Sequence, residues 1–512
     1  MIRTLSDVAV QPAKSLFLLL TVASFLPAVD ADIFVVDMIP QTWSNEAHQD
    51  CEANIAVNPA NPLQIACSAF TLDTPSGATM SGSYAPLFVS DDGGNTWSIN
   101  KIIPSAKGKT LPTQDITLRF GGKSGVLYGA ILRQADDEFN PPLNLLRTNN
   151  FMGPEPMTVL LTRDNEDQPY VEAMTIATGV DAGKDRVYVG HNNTRNGFNA
   201  TAEIDLSLDA ATSAPPYGFS VSPIVIEMRN TLSQDGPQVR LAIHPTGIVY
   251  GVFYGWRSGG DPVVTADVVV VRDDSGGKSS KPFQDLSDSD GLPGKLVVTG
   301  ISVPWLNKHL KDFGQERLGG DLAIAVDPND SKKVFIAYCD GTSATDYALR
   351  IRSSTDGGLN WSTDLQTLRK AKNPGLAINS SGTVGLLYQE VTENDKGQRW
   401  ITHFVRTTDG FAHVSDAVLA DSDASLPTAD QNVGPYLGDY EHLLSVQDNF
   451  FGIFCTSNEP TAKFPSGIRF QRNVDSKTKR MRNLQNTADV PPSIDPFFFK
   501  VIETTHPIQE SP

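Results

Sequence analysis

Seven times along the chain a polar or acidic lead-in is followed by a short apolar strand, a turn and a second apolar strand. The copies occupy 52–70, 113–133, 167–193, 235–257, 320–340, 373–390 and 438–459. EANIAVNPANPLQIACSAF (52–70) and GDLAIAVDPNDSKKVFIAYCD (320–340) are typical. The apolar runs are rich in Val, Ile and Ala, and the Asn, Asp, Pro and Gly between them are the residues that chain reversals require. These phrases predict β-hairpins. No stretch carries a sustained 3.6-residue apolar period; LNKHLKDFGQERL (306–318) predicts one short helix inside a loop.

After most hairpins comes a further strand pair, as in SYAPLFVSDDGGNTWSINKII (83–103) and DYALRIRSSTDGGLNWSTDLQTL (346–368). Four strands per unit, repeating every roughly 50 to 85 residues, is the pattern of a propeller blade. The chain therefore reads as all-β, a β-propeller of four-stranded blades: seven-bladed, or six-bladed if one hairpin belongs to an insertion. Closure removes exposed sheet edges, and a terminal segment normally completes the last blade. IDPFFFKVIE (494–503) is the candidate closing strand and DIFVVDMI (32–39) the alternative, while SKTKRMRNLQNTADVPPS (476–493) reads as a surface loop.

Two copies carry the same turn after the third strand. Ser90-Asp91-Asp92-Gly93-Gly94-Asn95-Thr96-Trp97 fits S-x-D-x-G-x-T-W at every fixed position, and Ser354-Thr355-Asp356-Gly357-Gly358-Leu359-Asn360-Trp361 fits with Asn for Thr. The Asp accepts backbone N–H bonds, the glycines permit positive φ, and the Trp packs back onto the blade. RDDSGGKS (272–279) and RTTDGF (406–411) are degenerate relatives. On these motifs the chain resembles the sialidase-like, Asp-box (BNR-repeat) propellers over residues 45–503. The resemblance implies a propeller in which the Asp box is structural and lies away from the ligand, so Asp92 and Asp356 are turn residues. Sialidases resembling this chain lead into the first blade with Arg-Ile-Pro and hold a substrate carboxylate with three arginines. Here the lead-in is Cys51-Glu52-Ala53-Asn54-Ile55, and no Arg-Ile-Pro occurs.

In a propeller the ligand gathers at the channel mouth formed by loops before the innermost strand and after the second. The lead-ins supply Asp50, Glu52, Asn54, Asp115, Asp167, Asp235, Asp321, Asn373 and Asp439, and the exits supply Arg133, His191, Trp256 and Arg257. Carboxylates crowded together raise one another's pKa, so such a ring must share protons, pair with arginine or hold a cation. A raised-pKa acid facing a second carboxylate or a tyrosine is the equipment of glycoside hydrolysis. The catalytic candidates are Asp50, Asp115, Asp167, His191 and Tyr440. The substrate-binding candidates are Arg133, Trp256, Arg257, Asp235, Asp321 and Asp439, with Trp256 able to stack on a sugar face.

Composition narrows the partners. With 41 Lys and Arg against 59 Asp and Glu the formal charge is -18, which argues against nucleic acid or an anionic membrane. Arg3 and Lys14 precede an apolar run ending near Val29-Asp30-Ala31. That run is too short to span a bilayer and reads as a signal peptide over 1–31, followed by a single propeller domain over 32–512, secreted or periplasmic. Cys51, Cys67, Cys339 and Cys455 have no metal or redox spacing; a Cys51–Cys67 disulfide and buried free thiols are both open. The expected partner is carbohydrate, with no cofactor beyond a structural cation that the mouth could accept. Three readings follow: a glycoside hydrolase, a non-catalytic glycan- or protein-binding propeller, and a polysaccharide lyase using His191 and a tyrosine, with arginines neutralising a uronate. Oligomeric state is not legible.

Overall fold

The computed structural model describes residues 32–71, 85–104, 115–132, 142–193, 202–232, 239–260, 263–305, 316–343, 345–395, 397–425 and 436–503. The apolar run of the expected signal peptide, and residues 306–315 of the expected helix, lie outside them; 316–318 are not helical. Among the described residues helix is confined to the 3-10 turns Gln41–Trp43 and Gly122–Ser124.

Each of the seven sequence phrases is an antiparallel hairpin, because each pairs two apolar runs across a turn-forming sequence. Their first strands are Asp50–Val57, Ile116–Phe120, Glu166–Thr175, Arg240–Ile243, Leu322–Asp327, Ala371–Ile378 and His442–Val446. Each begins a sheet, numbered 1 to 7 here in chain order. Sheets 1 to 6 have four strands in sequence order, and sheet 7 has five. The first strands touch in a closed circuit, sheet 1 to sheet 7 and back to sheet 1, which is the inner wall of a β-propeller. Core side chains fill the wedges between sheets: Ala56, Leu87 and Val89 of sheet 1 meet Ile116, Leu118 and Leu127 of sheet 2. Each buried Val, Leu, Ile or Phe contributes about 1.5–3 kcal/mol, so seven such wedges hold the circuit without any helix.

Sheet 7 uses both candidate closing segments. Ile494–Ile502 pairs with Asn449–Ser457 on one side and with Asp32–Asp37 on the other, antiparallel to each. The alternatives were therefore not exclusive. The two ends of the chain are tied by Arg472, whose Nη1 lies 2.8 Å from Asp495 and 3.2 Å from Glu46, all three buried. The expected surface loop 476–493 contains instead most of a small three-stranded sheet, Val474–Asp475, Arg480–Arg482 and Asp489–Val490. All four cysteines are buried free thiols, which removes the Cys51–Cys67 disulfide.

The Asp boxes are closed turns. Asp92 accepts from Thr96 N at 2.9 Å and Thr96 Oγ1 at 2.6 Å, Gly94 N donates to Ser90 Oγ, and Trp97 Nε1 donates to Gly94 O. Asp356, Asn360, Ser354 and Trp361 repeat these bonds. Gly94 is required as glycine: φ is +85°, and a Cβ would sit 2.2 Å from the Phe498 ring. Both boxes follow the third strand of a sheet, at the end of the channel where the first strands finish. The lead-ins open on the other end.

Candidate active site at the channel mouth

Three lead-ins share a local device. At Glu52, Gln168 and Asn373 the chain enters the left-handed region, with φ of 55°, 53° and 53°, and in each case the pairing to the second strand skips register there. Each is a β-bulge, which re-aims one side chain at the cost of local strain. Gly438 (φ +110°) makes room for the first: a Cβ there would come within 2.3 Å of Glu52 N.

The re-aimed residues meet the lead-ins of sheets 2 and 7. Tyr436 Oη lies 2.6 Å from both Glu52 Oε1 and Asp439 Oδ1 and can donate its one proton to either, and Asp439 Oδ2 is 2.7 Å from Arg317 Nη1. Asp115 Oδ1 accepts from Gln168 Nε2 at 3.1 Å and from Tyr440 Oη at 3.4 Å. Glu52, Asp115, Asp439 and Tyr440 are all buried. Oε2 of Glu52 is buried and meets no donor, and the Asp115 and Asp439 carboxyls lie close enough to act on its ionisation. Burial, then the charges of Asp115 and Asp439, raise Glu52 well above the ordinary carboxyl range. Burial also raises Asp115, partly offset by the bond from Glu52. Glu52 and Asp115 are thus a buried carboxyl pair in which both groups are held above the ordinary carboxyl range.

Sheets 4 to 6 surround this pair with ion pairs. Arg240 bonds Asp321 at 2.8 Å and stacks its guanidinium over the rings of Tyr170 (4.6 Å) and Tyr440 (5.3 Å). Burial lifts Asp321 to about 6. Lys372 pairs with Glu316 and donates to Gly438 O at 3.1 Å; burial lifts Glu316 to about 7. Glu441 is buried with no hydrogen-bond partner for either oxygen, and burial holds it well above the usual range. Below the mouth His442 bridges Asn54 Nδ2 at 3.1 Å and Arg119 Nη2 at 3.1 Å. Burial, then Arg119 and Arg240, push its pKa well down. Past that layer a cavity of about 750 Å³ opens on the Asp-box end, with Arg119, Tyr170 and Glu172 in its lining.

Of the sequence candidates, Asp115, Asp321, Asp439 and Tyr440 gather at the mouth. Asp50 is buried beside Cys51, and Asp167 accepts the N–H of its neighbour Gln168 at 2.9 Å; the bulges re-aim Glu52 and Gln168. His191 is not available as a base. It is fully buried, with Nδ1 3.0 Å from Glu166 and Nε2 3.2 Å from Asp205. Burial alone would lower its pKa, but the bonds to Asp205 and Glu166 raise it to about 9. Trp256 is no stacking platform: it is buried edge-on against Trp305, with ring centroids 4.9 Å apart. Arg257 is pinned to Asp267 at 2.6 Å and to Asn230 O. Arg133 and Asp235 lie outside the described residues. Gln168, Arg240, Glu316, Arg317, Lys372, Tyr436 and Glu441 were not anticipated. Among the described residues the side chains grouped closely enough to hold a metal are Glu166, His191 and Glu203, on sheet 3; no such group includes the mouth acids.

The chain is similar in structure to β-propeller enzymes. An α-L-arabinanase from Penicillium chrysogenum, complexed with arabinobiose, is 13% identical at a TM-score of 0.41, covering 77% of this chain and 98% of that one. A PL25 ulvan lyase is 10% identical at 0.39, covering 80% and 92%. A mutant Trypanosoma rangeli sialidase with trans-sialidase activity is 11% identical at 0.36, covering 91% and 58%. No protein-family model and no curated protein matches the sequence. Among the described residues no helix is long and apolar enough to cross a membrane.

Proposed function

We propose that the protein is a secreted glycoside hydrolase whose proton donor is the Glu52–Asp115 pair. The carrying observation is the buried Glu52 carboxyl, whose Oε2 meets no donor and which burial and the neighbouring Asp115 and Asp439 raise well above the ordinary carboxyl range. Cleavage of a glycosidic bond needs a neutral acid to protonate the departing oxygen and a carboxylate across from it to stabilise or attack the sugar cation. Glu52 supplies the first. Asp439, ion-paired to Arg317 and bonded to Tyr436, supplies the second. Asp115 helps keep Glu52 protonated by its nearby charge, and Tyr436, touching both Glu52 and Asp439, fixes their separation. The Asp-box resemblance supports a sugar polymer as substrate, and the apolar leader in the sequence supports export. The lyase reading loses His191, since both of its nitrogens are engaged. A non-catalytic glycan-binding propeller is the second reading, favoured by the burial of Glu52, Asp115 and Asp439.

The test is a reducing-sugar assay of the purified protein on a panel of polysaccharides, alongside Asp115→Asn and Asp439→Asn. Turnover by the parent that falls by about 10²–10⁴ in both variants is expected. Saturable binding with no turnover on any glycan supports the binding reading and overturns hydrolysis.

A further inference from the structure

Every cation that the described residues place at the mouth is already held by a carboxylate. Arg240 is committed to Asp321, to Leu322 O and to the faces of Tyr170 and Tyr440. Arg317 is committed to Asp439 and to the face of Trp305, and Lys372 to Glu316 and Gly438 O. Against these three cations stand six carboxyls: Glu52, Asp115, Glu316, Asp321, Asp439 and Glu441. An incoming sugar carboxylate or sulfate meets no uncommitted cation among these three and must break a buried ion pair to find one.

The polar atoms left over have one character. Asp321 Oδ2, Asn373 Oδ1 and both oxygens of Glu441 are buried acceptors with no donor. They belong to the lead-ins of three successive sheets, and Glu441 lies close enough to Lys372, Asp321 and Glu316 to feel their charges. Asn373 is oriented as an acceptor, because its Nδ2 donates to Gly438 O at 3.0 Å. Buried acceptors without donors are costly unless a ligand or water satisfies them.

We infer that the glycan taken by this mouth is non-anionic, a neutral or amine-bearing chain that brings hydroxyl or ammonium donors and no carboxylate or sulfate. The inference takes the mouth as the glycan site, as the hydrolase reading does, but it concerns which chain binds and not whether it is cut. It runs against what the sialidase resemblance implies, a site built to clamp a carboxylate.

Affinity electrophoresis of the wild-type protein reads binding without turnover. The gels carry linear arabinan, xylan, chitosan, polygalacturonate or polysialic acid, each at low salt and at about 0.5 M salt, where long-range repulsion from the net charge is screened. A neutral chain or chitosan retards the protein, and both polyanions bind at least about a hundredfold more weakly at either salt concentration. Chitosan retarding wild type more than arabinan and xylan do marks an amine-bearing ligand; the reverse order marks a neutral one. Retardation by a polyanion equal to or stronger than that by the neutral chains overturns the inference, as does retardation by no chain. Binding of a non-anionic chain without release of reducing sugar leaves the inference standing and overturns the hydrolase reading.

Discussion

Replacing His191 with Gln tests whether that residue is a structural imidazolium or a working base. The ring is fully buried between Glu166 and Asp205, and Asp205 is also held by Arg163 at 2.6 Å. A pKa raised from an ordinary 6.5 to about 9 corresponds to about 3 kcal/mol of preference for the charged form in the folded state. The sign follows from proton binding. Below pH 6.5 both folded and unfolded chains hold the proton and the stabilisation is fully present; between 6.5 and about 9 only the folded chain holds it, and stability falls as pH rises. His191→Gln therefore costs about 3 kcal/mol in urea unfolding at pH 6 and progressively less towards pH 9. It leaves the pH dependence of any turnover unchanged at permissive temperature. A stability deficit that is flat from pH 6 to 9, or a turnover profile that loses a limb, refutes the assignment.

Three further outcomes follow from the packing. Gly94→Ala forces a positive-φ position and drives a methyl group into Phe498, and lowers unfolding free energy by about 2–4 kcal/mol without changing glycan specificity. Arg472→Met leaves the buried Glu46 and Asp495 without their cation and costs about 3–5 kcal/mol at neutral pH. Asp37 and Glu46 already have raised pKa values, burial being the first cause, so the folded chain takes up protons more readily and that deficit narrows as pH falls; a deficit that widens on acidification refutes the latch. Because all four cysteines are free thiols, dithiothreitol leaves the melting temperature unchanged, whereas a drop reveals a disulfide.

The hairpins were legible because alternating apolar residues and turn chemistry act over a few positions, and the Asp boxes because each closes its own hydrogen bonds within one turn. The mouth was half legible, for a local reason. Asp115, Asp321 and Asp439 precede regular strand starts, and counting from the strand finds them. Glu52 and Gln168 sit on bulges with positive φ, where the two-residue period slips by one and points counting at Asp50 and Asp167 instead. Arg240, Lys372 and Tyr436 are recognisable only once seven separate lead-ins are folded onto one axis; nothing in QVRLAI around Arg240 marks it as the partner of Asp321 some eighty residues on. His191 and Trp256 lie within the second strands Asp185–Asn193 and Val249–Gly260, and the neighbours that bury them come from other strands.

The central claim is that Glu52 is the acid. Hydrolysis rates of wild type and Glu52→Gln on two glycosides of the same sugar, one with a dinitrophenolate leaving group and one with an unactivated alcohol, test it most directly. A missing proton donor matters only when the leaving group needs one, so the variant is predicted to lose about 10²–10⁴ on the unactivated glycoside and little on the activated one. Wild-type rates should fall as pH rises through the raised pKa of Glu52, a limb absent from the variant. Equal losses on both substrates, or no loss on either, contradict it.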